Sequence, residues 1–152
     1  MSSRVHPSAT GLEIAGPGAQ NLSFGQERAV VEQAVVSRMG EPVSRLANQE
    51  CGAGPMQFTS FAGGLTLNFQ NGAFAGWALE RSEEDKGFTT ARGIGVGSQE
   101  AALKAAYAVE RIEGSTLGDE FTSTGGINGF LSDRGSGKQV ESLYAGTNCF
   151  FR

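Results

Sequence analysis

Leu65-Thr66-Leu67-Asn68-Phe69-Gln70-Asn71-Gly72-Ala73-Phe74-Ala75-Gly76-Trp77-Ala78-Leu79 is the stretch that decides the fold. Leu65, Leu67 and Phe69 alternate with polar residues, which places them on one face of an extended strand. Asn71-Gly72 follows, and both central positions of a type I′ turn require positive φ, so this pair predicts a tight hairpin. Ala73 to Leu79, carrying Phe74 and Trp77, then returns as the partner strand. Upstream, Pro55 to Phe61 supplies a third strand, and the charged run Glu80 to Gly87 closes the meander.

Before the meander lies a helix. In Gln26 to Met39 the apolar residues Val31, Ala34, Val35 and Met39 recur at three- and four-residue intervals. Glu27 in the first turn and Arg38 in the last suit the helix dipole, and Gly40 with Pro42 stops it. After the meander the pattern begins again. Ile94-Gly95-Val96-Gly97 leads to Ser98, a good N-cap for a helix from Gln99 to about Tyr107. Strand-like segments follow at 109–113, 120–124, 127–131 and 140–145, with a loop from Ser132 to Lys138. Phe58-Thr59-Ser60 and Gly63-Gly64-Leu65 recur in order as Phe121-Thr122-Ser123 and Gly125-Gly126-Ile127, and Phe24-Gly25 recurs as Val96-Gly97.

The sequence therefore predicts an α+β domain of two tandem helix-plus-antiparallel-meander repeats, with the helices packed on antiparallel sheet. The expected divisions within one domain spanning 1–152 are a flexible arm at 1–20, repeat one at 21–80, a linker at 81–93 and repeat two at 94–152.

The entries Phe24-Gly25-Gln26-Glu27-Arg28 and Val96-Gly97-Ser98-Gln99-Glu100, with Gln70-Asn71-Gly72-Ala73-Phe74-Ala75-Gly76-Trp77, resemble the β-lactamase inhibitor protein fold. They are also similar to the small lipoprotein that assists the outer-membrane β-barrel assembly machine. The segments around Cys51 and Cys149 look like those of uncharacterised exported bacterial proteins of this kind. The resemblance implies an extracytoplasmic module that binds another protein without chemistry. Two features depart from it. The inhibitor closes a disulfide inside each repeat, whereas one cysteine lies in each half here, and no segment matches its enzyme-blocking loops.

Composition narrows the function classes. The 152 residues are 39% hydrophobic and 18% charged, values that fit a chain able to bury a core. No stretch approaches the roughly 20 apolar residues of a bilayer crossing. Net charge is −4 with basic residues scattered singly, so the basic stripe of a nucleic-acid binder is missing. The start, Met1 to Pro7, holds no apolar run of a secretory signal. Periplasmic or secreted location is expected, with the cytoplasm as the alternative.

Cys51 and Cys149 admit a structural disulfide, two inert thiols or a reactive pair, and the disulfide is favoured. His6, the single histidine, lies in the arm and is no catalytic base. Gly93 to Ser98 opens a helix but lacks the spacing and lysine of a phosphate loop. Glu83-Glu84-Asp85 lacks calcium-loop spacing. No metal site, cofactor or catalytic residue is expected. Trp77 and Tyr144 are candidate anchors on an exposed sheet face, and Arg92 is a third candidate binding residue. The expected function is a non-enzymatic, protein-binding module with another protein as partner. The alternative is a small-ligand binder or hydrolase using a pocket between the repeats, with Thr59-Ser60, Thr122-Ser123 and Arg92 as its polar groups.

Overall fold

The structure is a computed structural model that describes residues 5–16, 18–84, 86–115, 118–133 and 137–149. Two antiparallel sheets dominate it. Strands β1 (Val5–Ser8), β2 (Gly11–Ile14) and β3 (Gln20–Ser23) form a three-stranded sheet. Helix α1 (Arg28–Met39) leads to β4 (Ser44–Asn48), β5 (Met56–Phe61), β6 (Leu65–Gln70) and β7 (Ala73–Glu80). Helix α2 (Glu100–Ala106) leads to β8 (Val109–Arg111), β9 (Asp119–Ser123), β10 (Asn128–Asp133) and β11 (Lys138–Gly146). All eight strands after α1 join one sheet in the order β4-β5-β6-β7-β11-β10-β9-β8. Two meanders thus meet at an antiparallel β7–β11 seam, where Leu79 faces Leu143 and Trp77 faces Ala145.

This corrects the expected fold class. The described residues are 45% strand and only 14% helix, so the molecule is mostly β and not an α+β pair of helix-roofed repeats. The physical reason is the size of the cover. Helix α1 buries Val31 and Val35, and the seven-residue α2 buries Leu103 alone. Such short faces cannot roof eight strands. The three-stranded sheet supplies the remaining cover: β1 and β2 come from the stretch expected to be a flexible arm, and β3 runs from its last residue into expected repeat one. Val5, Leu12, Ile14 and Leu22 sit in the same buried cluster as Trp77, Phe69, Phe74 and Phe121. Residues 1–4 and Pro17 of the expected arm, Asp85 of the expected linker, and 134–136 of the expected loop lie outside the described residues.

Both helices are held at their entries by backbone bonds. Gly25 N–H donates to the Phe74 carbonyl and Phe74 N–H to that of Gln26, while Gly97 N–H donates to Val140 and Val140 N–H to Ser98. Gly25 (φ 100°) and Gly97 (φ 93°) both adopt backbone that side chains disfavour, which is why glycine stands at each entry. Ser98 does not cap α2. Gln99 holds that position without a side-chain bond, and the Ser98 hydroxyl instead accepts from Gly95 N–H. At the hairpin between β6 and β7, Asn71 has φ 53° and Gly72 φ 79°, as the turn requires.

Candidate functional site

Strand alternation gives the large sheet one covered and one open face. Leu65, Leu67, Trp77, Leu79, Leu143 and Ala145 point under the cover and are buried. The neighbouring residues point the other way. One cross-strand row on the open face runs Ser44, Ser60, Thr66, Ala78, Tyr144, Asn128, Thr122. Beside it runs Glu80, Ser142, Phe130, Glu120, and on the other side Leu46, Phe58, Asn68, Gly76.

A groove of about 340 Å³ lies on this face, over the β7–β11 seam. Thr66, Ala78 and Tyr144 form its floor, Phe58 and Phe130 its apolar flanks, and Asn68, Glu80 and Ser142 its polar edge. One wall is the segment Thr147-Asn148-Cys149, which follows β11 and crosses the open face. Thr147 N–H donates to the Ala75 carbonyl, and Asn68 Nδ2 donates to Thr147 O (3.0 Å) and Asn148 Oδ1 (2.8 Å). The crossing is possible only over glycine: a Cβ on Gly76 would lie 2.2 Å from Thr147 O. The Cys51–Cys149 disulfide then fastens the segment to the β4–β5 loop.

At the other flank, Tyr144 packs on Phe130 with ring centroids 5.8 Å apart, and its hydroxyl donates to Glu120 Oε2 at 2.5 Å. Ser115 Oγ donates to Glu120 Oε1 at 2.7 Å. Glu120 is only 1% exposed, so these bonds satisfy a carboxylate that burial would otherwise penalise. The pair fixes the Tyr144 ring as part of the groove floor.

The three residues picked from the sequence are not brought together. Trp77 is fully buried under the cover, with Nε1–H donating to the Ser8 carbonyl at 2.7 Å, so it is a core residue. Tyr144 does face the open side, although it is 8% exposed. Arg92 lies elsewhere, in a cleft of about 280 Å³ with Pro7, Glu13, Tyr107 and Ile127. Its guanidinium stacks over Tyr107 at 5.2 Å and donates to Ala106 O at 2.5 Å. The two Thr-Ser pairs are also split by the sheet. Thr59 and Ser123 are buried on the covered side, Thr59 bonded to Glu32 and Ser123 to Ile127 O, while Ser60 and Thr122 lie on the open face. His6 Nδ1 lies 2.9 Å from the Thr89 carbonyl oxygen. Among the described residues, no three His, Cys, Asp or Glu side chains converge as a metal would need. Sequence reasoning missed Phe58 and Phe130 as groove residues. Strand parity was available for both, but not which parity the cover would occupy.

Ion pairs hold each helix to an edge of the sheet. Glu32 of α1 accepts from Arg28 (2.8 Å), from Arg45 of β4 (2.9 Å) and from Thr59 Oγ1 (2.5 Å). Burial opposes its ionisation, but the bonds from Thr59, Arg45 and Arg28 outweigh it and hold the carboxyl at about 2. Glu100 of α2 accepts from Arg111 of β8 at 2.9 Å and pairs with Lys104 at 3.5 Å. The Arg111 bond is the main reason its pKa is lowered.

Among the described residues, no helix is long and apolar enough to cross a membrane. No protein-family model matches this chain, and neither the curated proteins nor the solved structures compared with it gave a match.

Proposed function

We propose that this chain is a non-enzymatic, periplasmic or secreted binding module that receives a segment of a partner protein on the open face of its large sheet. The observation that carries the reading is the groove over the β7–β11 seam, with Phe58 and Phe130 flanking a floor centred on Tyr144. At about 340 Å³ it sits at the small end of ligand pockets, and it opens along a broad sheet face, which suits side chains of a docked polypeptide. Aromatic anchors beside amide and hydroxyl groups are the ordinary composition of a protein-binding centre. The motif likeness to the β-lactamase inhibitor fold and the assembly lipoprotein adds the expectation of a protein partner. The Cys51–Cys149 disulfide supports an oxidising compartment. The alternative hydrolase or small-ligand reading has less support, since Arg92, Thr59 and Ser123 lie away from this groove.

The test is photo-crosslinking in the producing cell. A photoreactive residue replaces Ser142 in the groove or, as the comparison, Ala101 on the exposed side of α2. A defined protein adduct from position 142, absent from position 101 and lost with Phe130→Asp, is expected. Equal labelling from both sites, or none from position 142, would refute the reading.

A further inference from the structure

The two edges of the eight-stranded sheet are not alike. Strand β8 is three residues long, Val109–Arg111; Arg111 is drawn to Glu100 and Asp119, but Glu110 is exposed and Glu113 lies just beyond. A short, charged edge is protected against pairing with another chain. Strand β4 is five residues long, contains no proline, and presents Leu46 at 65% exposure with Val43 just before it at 67%. These two are the most exposed large apolar residues among those described. The one charged residue of β4, Arg45, is already drawn back by Glu32. The edge therefore carries the features that native sheets usually avoid.

We infer that β4 is the interface of a homodimer, in which a second copy adds its own β4 antiparallel and the two sheets become continuous. The sequence of the strand permits self-pairing about Leu46. Placing a two-fold axis there sets Leu46 opposite Leu46, Arg45 opposite Ala47, Ser44 opposite Asn48, and Val43 opposite Gln49. No like charges face one another, and the two leucines sit directly across the axis, on the open side beside Phe58. The axis also closes the assembly. Because the β8 edge is short and charged, growth stops at two copies and does not run on as a fibre. The inference does not rest on the partner-binding reading, although β4 borders the groove and gives Asn48 to its lining.

The test measures mass in solution. Sedimentation equilibrium of the full, oxidised chain should show a dimer that dissociates on dilution. Leu46→Lys, which sets two ammonium groups across the axis, should give a monomer with unchanged far-UV circular dichroism. Leu46→Cys should crosslink two copies under mild oxidation, since residues facing across antiparallel strands lie within disulfide reach. Ile112→Cys at the guarded edge should not. A wild-type monomer at every concentration, a dimer that survives Leu46→Lys, or equal crosslinking from Ile112→Cys would each overturn the proposal.

Discussion

The α1 and α2 ends of the large sheet use the same device with different depth. Each pins its helix to the edge strand through a glutamate and an arginine, Glu32 with Arg45 and Glu100 with Arg111. At the α1 end the carboxylate is 13% exposed and bonds the fully buried Thr59, while Arg28 stacks over Phe69 at 5.1 Å. At the α2 end the carboxylate is 25% exposed and bonds Lys104 and Arg111; Arg111 is 39% exposed against 51% for Arg45, so the contrast lies in the carboxylates and the buried hydroxyl. An ion pair in water contributes little, whereas one that also satisfies a buried hydroxyl contributes more. The same residue types therefore stabilise the two ends unequally, and burial decides the difference.

The largest expected effect comes from removing the tie that only the α1 side possesses. The disulfide joins residues 98 apart, from the β4–β5 loop to the segment after β11. Closing so long a loop restricts the unfolded chain by about 4–5 kcal/mol. Replacing Cys51 and Cys149 together by Ser should lower the urea midpoint accordingly, and an unchanged midpoint would show that the bond adds nothing.

Next comes the pair of glutamates. Glu32→Gln should cost about 2 kcal/mol, because it weakens the bonds to Thr59 and leaves two guanidinium groups less well paired. Glu100→Gln should cost less than about 1 kcal/mol. Urea titrations of both variants at neutral pH measure the contrast, and equal losses would remove it.

The acid limb sharpens the same point. Glu32 is lowered from 4.5 to about 2, so its contribution is complete above pH 4.5 and fades as pH falls towards 2. The wild type should therefore lose more stability across that window than Glu32→Gln does. Parallel curves would assign the acid sensitivity to other carboxylates. A separate, local effect is expected at the hairpin: Asn71→Val at φ 53° should cost about 1 kcal/mol by straining the β6–β7 turn, read as a lower thermal midpoint.

What the sequence made legible follows the strength of its local signals. Asn71-Gly72 fixed the central hairpin, and the three- and four-residue spacing of Val31 and Val35 marked α1 within two residues of its start. The Cys51–Cys149 bond was the favoured reading of a lone pair. Residues 5–23 were opaque because their Ser, Gly, Pro and Ala content hides short alternations, such as Leu12 and Ile14. Those four-residue strands owe their stability to packing on the large sheet and not to local propensity. Strand β4, Ser-Arg-Leu-Ala-Asn, is weak for the same reason. Trp77 shows the limit of parity arguments: alternation shows which residues share a face, but the unrecognised N-terminal sheet decided which face was covered.

Trp77 also offers the most direct test of a sheet with one covered and one open side. It is the only tryptophan in the chain, and β1 and β2 lie over it. Acrylamide quenching of its fluorescence in the native protein should be weak and should rise to that of a free indole only on unfolding. Quenching in the native state as efficient as in the unfolded chain would mean that β1, β2 and β3 do not form the cover, and the assignment of the two faces would fail with it.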